Sequence, residues 1–296
     1  MAIASTQSRP RRAHRRGEFV IATRLSAGAV VEQELTKLER IWNQAWVRKS
    51  ALLLILATGW QLYAVHVDNA LLLPTFAEMT RALWLGIVSG EIPERVLGTI
   101  EVLLLGYAAG LLLAGILAAV AVTTRIGADL LETLTAMMMP LPAIALLPLA
   151  LIWFGLNRAS LIFVIIQSVV WAVALNTHTG FQSVPATLRM VGRNCGLSTL
   201  KYVTKILIPA AFPSILAGAK MGWAFSWRTL IAAELVFGVT SGSGGLGWYI
   251  FSNKNELNIP AVFAGLVTII LIGLLMESVV FARIEARTVR RWGMQS

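Results

Sequence analysis

Lys220, Arg228 and Glu234 stand within one long apolar stretch, and Glu101 and Glu277 interrupt two others. A charged side chain placed mid-way across a membrane costs about 2.5–3.5 kcal/mol on insertion scales, so such groups pair with one another or meet a charged solute. Two readings are open for Arg228: an ion pair with Glu101 or Glu234, or a place on an anion pathway. Lys220 should face the helical interior or a carboxylate, and Glu277 lies near enough to a span end to meet water. Trp171 and Trp227 also fall inside apolar runs, where they pack or touch solute. The chemistry open to these residue types is recognition of charge, not the making of bonds. His14, His66 and His178 are scattered without metal-ligand spacing, and no Ser/His/Asp set is visible. The SGSGGLG run at 241–247 lacks the Lys-Ser/Thr of a phosphate-binding loop. It reads as a tight turn in which Gly adopts backbone angles that other residues resist. Cys195 is the one cysteine, so it forms no intrachain disulfide and reads as filler beside Gly196.

The elements that must position these charges are membrane spans. Hydrophobic residues make up 57% of the 296-residue chain, charged residues 14%, and the mean hydropathy is +0.72. A soluble domain carries about 25% charged residues. Six apolar runs are long enough to cross a bilayer: about 50–66, 97–122, 134–154, 160–177, 208–237 and 259–282. Pro140, Pro142 and Pro148 interrupt the third, and Pro209, Pro213 and the charges interrupt the fifth. The first lies too far from the N-terminus for an ordinary signal peptide. The fold class is therefore all-α, a polytopic membrane helix bundle with six predicted transmembrane helices. Three sections follow. Residues 1–49 form a basic tail with an amphipathic helix over 31–46, where Val31, Leu35, Leu38, Trp42 and Ala45 recur at helical spacing. Residues 50–282 form the transmembrane domain, and 283–296 a second basic tail. Between the first two spans, 67–96 is mixed and suggests a short surface helix. Trp60, Trp84, Trp248 and Trp292 sit near span ends as interface anchors.

A net charge of +10 invites a nucleic-acid reading, but the placement of the charge excludes it. Ten of the 25 Lys and Arg precede residue 50, in a tail suited to anionic lipid. With the N-terminus inside, nineteen basic residues fall on the inner side and four (Arg81, Arg95, Arg158 and Lys254) on the outer. Both termini are therefore expected in the cytoplasm, along with the segment at about 178–207.

That segment holds the most informative stretch, LRMVGRNCGLSTLKYVTKILIP at 188–209. Leu188, Val191, Cys195 and Leu197 can form one apolar face of a short helix. Gly196 lets that helix end and the chain turn. Thr199 to Leu207 resumes helical spacing, and Pro209 cannot continue the backbone ladder without a kink. The sum is a surface helix, a turn and a helix entering the membrane. Gly196 is followed by Ile206, Ile208 and Pro209 at offsets ten, twelve and thirteen. This spacing resembles the cytoplasmic loop of ABC importer permeases. MPLPAIALLPLALIWFG at 139–155, LLLPTFAEM at 71–79, WRTLIAAE at 227–234 and SGSGGLGWYI at 241–250 are similar, in order, to the nitrate, sulfonate and taurine branch of that family.

The resemblance implies a type I importer permease fold in the bacterial inner membrane. It implies a second permease copy, two ATPase subunits that hold ATP and magnesium, and an external solute-binding protein. The chain itself would need no cofactor and would be no enzyme. Its solute would be a small anion or zwitterion. Leu188, Arg189, Met190, Arg193, Gly196, Leu197 and Pro209 would serve coupling to the ATPase. Lys220, Trp227, Arg228 and Glu234 are the candidate pathway or intramembrane residues. One departure stands out: the family's Glu-Ala-Ala falls on Met190-Val191-Gly192, so the acid is missing and Arg189 or Arg193 would reach the ATPase instead. The competing class is a stand-alone, ion-coupled secondary transporter, against which no internal repeat is visible.

Overall fold

The computed structural model describes residues 44–237 and 244–289. The interfacial helix expected over 31–46 lies almost wholly outside them, as do the basic tail before it and the residues from 290 onward. The chain divides into Met1–Leu53 and Leu54–Ser296. Of the first unit, only the opening turns of one helix are described. Among the described residues every regular element is helical.

The elements run α1 (Ala45–Val67), α2 (Phe76–Val88), α3 (Glu91–Thr123), α4 (Arg125–Met138), a 3₁₀ turn (Ala143–Leu146), α5 (Leu147–Phe154) and α6 (Arg158–Gln182). Then come α7 (Ala186–Asn194), α8 (Thr199–Tyr202), a π-helical turn (Val203–Leu207), α9 (Ile208–Phe237), α10 (Leu246–Asn255), α11 (Ile259–Leu275), a second π turn (Met276–Phe281) and α12 (Ala282–Arg287). Among the described residues five helical stretches are long and apolar enough to cross a membrane, or six when α4 with the 3₁₀ turn and α5, a bent pair, is counted as one span. The expected third span at 134–154 is corrected here. It is two pieces, 125–138 and 143–154, meeting at 89°. Pro140 and Pro142 supply the break, because neither has an amide hydrogen for a helical ladder. The first piece begins much earlier than the apolar run because Thr124 caps it, its side chain accepting from the Gly127 amide at 3.0 Å. The short helix expected within 67–96 is α2. It is started by Thr75 and Glu78, which satisfy each other's backbone amides.

Helix α6 is the centre of the packing. In its most apolar window 56% of residues are buried, against 6% for α1. It lies between α3 and α9, and small residues let the backbones approach. A Cβ on Gly106 would come 2.6 Å from Ile165, and one on Gly110 would come 2.8 Å from Val169. On α9, a Cβ on Gly218 would come 2.8 Å from Asn176, and one on Gly222 would come 3.0 Å from Val173. With Ala114 and Ala118 the α3 series repeats every fourth residue, the pattern that replaces hydrophobic driving force inside lipid. The Tyr107 hydroxyl ties α3 to α9 by donating to the Ala219 carbonyl at 2.8 Å. Its ring meets Trp223 edge-on at 5.3 Å. Trp60 is held inside the fold by its indole N–H, which donates to the Pro74 carbonyl at 2.9 Å.

Candidate functional site

The 186–209 segment folds as an elbow. Helix α7 stops where Gly196 takes φ +60°, in the left-handed region that an L side chain resists. The chain reverses into α8, and the π turn at Val203–Leu207 passes directly into α9. Pro209 stands just beyond this π turn, where the ladder is already interrupted and its missing amide hydrogen costs least. Gly192 sits under the Tyr202 ring, and a Cβ there would lie 2.7 Å from the ring carbon Cδ2. The residue in the Ala position of the family motif is thus glycine because an aromatic ring fills the methyl's space.

Leu188, Met190 and Val191 present an apolar edge, at 41%, 55% and 52% exposure. Arg193 lies in the last turn of α7. Leu197 does not continue the exposed edge. It is half-buried and lines a cavity of about 300 Å³ with Val122, Tyr202 and Leu207. Arg189 also departs from expectation. Its guanidinium folds back on the C-terminal end of α6, donating to the carbonyls of Phe181 and Gln182 at 2.8 Å and of Val184 at 3.1 Å. These carbonyls lie at or just beyond the last turn of α6, where helical acceptors run out of i+4 amides, and a cation at a helix C-terminus also meets the negative end of the helix dipole. Arg189 therefore fastens the elbow to α6 and does not project outward.

The intramembrane charges separate into three environments. Lys220 is ion-paired, with Nζ 2.7 Å from Glu285 and 3.8 Å from Glu277. Glu277 thus meets a cation as well as water. Neither expected partner of Arg228 is available to it. Glu101 is held by Arg158 at 2.8 Å, because the start of α6 lies beside that face of α3. Glu234 is 4% exposed and is taken up by backbone and hydroxyl donors. It accepts from the Gly247 amide at 2.8 Å and from the Thr99 hydroxyl at 3.0 Å. Thr99 in turn accepts from the Leu246 amide at 2.8 Å. Glu234 and Thr99 together cap the first turn of α10, two of whose amides would otherwise be orphaned. Gly245 makes this possible, since a Cβ there would lie 2.0 Å from a Glu234 carboxyl oxygen. Trp227 is buried in the main core at 6% exposure. It is one residue from Arg228, a rotation of about 100° round the helix, and so faces another way.

Arg228 donates through Nε to the Ala224 carbonyl at 3.0 Å, and its Cζ stands 5.4 Å from the Phe225 ring centroid. Among the described residues no carboxylate pairs with it. It lines a cavity of about 370 Å³ at the break between α4 and α5. Gln167 and Trp171 line the same cavity from α6, and the buried Gln167 Nε2 and Trp171 Nε1 find no hydrogen-bond partner among the described residues. Sequence reasoning missed Thr99 and the unpartnered donors of Gln167 and Trp171. The available signal was a lone amide in the run LIFVIIQSVVW, with an indole four residues on and therefore on the same helical face.

Residues 110–289 match the profile of a family described as binding-protein-dependent transport system inner membrane component. A Bacillus subtilis protein named as an aliphatic sulfonates transport permease is 30% identical over 251 residues, covering 83% of this chain and 88% of that protein. A Methanocaldococcus jannaschii protein named as an ABC transporter permease is 29% identical over 242 residues, covering 80% of this chain and 90% of its own length. A Synechocystis nitrate import permease is 34% identical over 149 residues, covering 50% of this chain and 53% of that protein.

Proposed function

Since the chain belongs to the family of binding-protein-dependent transport system inner membrane components, we propose that it is the permease subunit of an ATP-driven importer for a small anionic or zwitterionic solute. The carrying observation is the elbow at 186–209. An exposed apolar edge is held rigidly to α6 by Arg189 and runs without a loop into α9. A push on that edge reaches the span that carries Arg228. Relatives named for aliphatic sulfonates and nitrate support an anionic cargo.

The subunit works as a homodimer with two ATPase subunits, which bind ATP and magnesium, and with an external solute-binding protein. It lies in the bacterial cytoplasmic membrane with both termini inside, following the distribution of Lys and Arg. Residues 1–49 and 283–296 supply the basic charge of the inner side, and 50–282 is the translocating domain. Leu188, Met190 and Val191 seat in the ATPase groove, with Arg193 beside them, and Gly196 and Pro209 shape the turn. Closure of the ATPase dimer draws the two elbows together and tilts the spans around α6 and α9, opening the pathway outward to the docked binding protein. ATP hydrolysis reverses the tilt. The chain makes no covalent bond. Its task is to hold two packings close enough in energy for the ATPase to switch them.

The test is Gly196→Val in the assembled complex. A β-branched residue at φ +60° is strained, so the elbow should distort. Solute uptake should be lost while ATP hydrolysis and membrane insertion persist. Wild-type uptake by a fully assembled Gly196→Val complex refutes the coupling role.

A further inference from the structure

We propose that Lys220 is a two-position latch on the fifth span. In this packing it ties the inner half of α9 to α12 through Glu285, and in the alternate packing it passes to Glu277. The latch rests on the permease function proposed above and supplies a joint at which α9 moves. Three observations carry it.

The first is one cation shared by two acids. Lys220 Nζ donates to a Glu285 carboxyl oxygen at 2.7 Å and lies 3.8 Å from one of Glu277. The shorter contact is a hydrogen-bonded ion pair, and the longer one is beyond hydrogen-bond distance. A single carboxylate would neutralise a stationary lysine. Lysine suits an exchange between two, because its charge is a point on a flexible stem with three rotatable donors. Lys220 stands twelve residues beyond Ile208, about 18 Å along α9. An ammonium at that depth is costly to leave unpaired, and a second acid keeps it paired during a passage. The two positions are not equivalent. The Glu285 side chain is 21% exposed and that of Glu277 is 65% exposed, so the pair made in this packing is the less screened.

The second is the joint. On one side Gly218 and Gly222 bring the backbone of α9 close to α6. On the other, among the described residues, its backbone scarcely approaches the inner end of the sixth span over 276–287. Side chains bridge that gap. Lys220 reaches Glu285, and Trp223 meets Phe281 edge-on with ring centroids 6.3 Å apart. Ring contacts accept a range of offsets, so this side can give way while α6 and α9 stay together. The outer end of α9 is anchored where Glu234 accepts from the Gly247 amide. Lys220 is fourteen residues from Glu234, a lever arm of about 21 Å. At that arm a tilt of about 3° moves the ammonium by about 1 Å, which is the margin by which Glu285 is the nearer acid.

The third is what separates the acids. The π turn Met276–Phe281 contains Glu277 and ends four residues before Glu285. It therefore sets their spacing and the angle between them. Such turns are wide, strained and often placed at functional sites. Relaxing this one to α geometry would rotate α12 relative to Glu277 and carry Glu285 off the lysine. The other π turn, Val203–Leu207, joins the elbow to α9, so a push from the elbow enters the same span that Lys220 holds.

The experiment uses the permease–ATPase complex in nanodiscs, with Cys195→Ser and a trifluoromethyl tag on Ala286→Cys, an exposed position. The ¹⁹F spectrum is read without nucleotide and with ATP and vanadate. Two resonances are expected, and their ratio should change when nucleotide closes the ATPase dimer. Glu285→Gln and Glu277→Gln should move that ratio in opposite directions, each about three- to tenfold, between the effect of an exposed ion pair and that of a hydrogen bond to a charged group. In a Lys220→Met background neither substitution should move it, since both act through the ammonium. Shifts in the same direction, or shifts that persist without Lys220, overturn the latch. A single resonance in a complex that carries out ATP-driven uptake refutes the latch and leaves the importer function standing. Two resonances that respond to the acids as expected, in a complex without ATP-driven uptake, refute the importer function and leave the latch standing.

Discussion

Replacing Glu234 with leucine should loosen the first turn of α10. Leucine is close in volume, so little packing is disturbed, but the side chain accepts nothing. The Gly247 amide then loses its 2.8 Å acceptor in a buried place, and the Thr99 hydroxyl loses its 3.0 Å one. The Leu246 amide keeps Thr99 as its acceptor at 2.8 Å. One orphaned buried backbone donor costs about 1–3 kcal/mol. The local opening equilibrium of that turn should therefore rise about 5- to 150-fold, at roughly 1.4 kcal/mol per factor of ten. Hydrogen–deuterium exchange, read by mass spectrometry on peptides covering 246–255, measures this directly. Peptides from the middle of α6 serve as the reference. Glu234→Gln keeps a carbonyl acceptor for Gly247 and should shift exchange much less. Gly245→Ala should reproduce the leucine phenotype from the other side, because its Cβ would meet the carboxyl oxygen at 2.0 Å. Unchanged exchange over 246–255 in Glu234→Leu, or acceleration spread equally into α6, refutes the capping role.

The elbow offers a paired test. Gly192→Ala places a methyl 2.7 Å from Tyr202, so it should lower transport several-fold, and the double variant with Tyr202→Ala should restore it; no rescue would mean the ring is not the cause. The Glu78 carboxyl is held below its ordinary value of 4.5, first by the Thr75 amide and then by the Thr75 hydroxyl. Its share of the α2 cap is therefore complete above about that value and fades as pH falls through the lowered one. The ¹³C carboxyl resonance of Glu78 should titrate at lower pH than those of exposed glutamates, and coincident titration would contradict the capping box. Reporter fusions after Ser198 and after Ser252 should report the cytoplasm and the outside respectively, and finding both on one side removes the six-span topology.

Spans one, two, four, five and six were legible because each apolar run is long enough to cross a bilayer, and the prolines and charges inside the second, fifth and sixth do not break their helices. The third was not, because α4 carries Asp129 and Glu132 on its outer face and so falls outside a count of apolar length. Prolines announce a break but carry no angle, and the 89° bend is set by what packs against it. The elbow was legible from Gly196 and Pro209, whose backbone demands are local. The partners of the buried charges were not. Glu101 meets Arg158 across 57 positions and Glu234 meets Thr99 across 135, and single-chain spacing holds no trace of either. The fate of Arg189 was hidden for a related reason: an arginine near a helix start reads as exposed until the carbonyls of the preceding helix are known to lie within reach.

The central claim is that ATP hydrolysis, and not an ion gradient, drives solute across this chain. Its most direct measurement is uptake into proteoliposomes holding the chain with its ATPase, the binding protein on the outside and ATP on the inside, in the presence of ionophores that collapse proton and sodium gradients. Uptake should continue with ionophores, stop without ATP, and stop when ATP is replaced by a non-hydrolysable analogue. Uptake abolished by the ionophores and indifferent to ATP would contradict the account and identify an ion-coupled transporter.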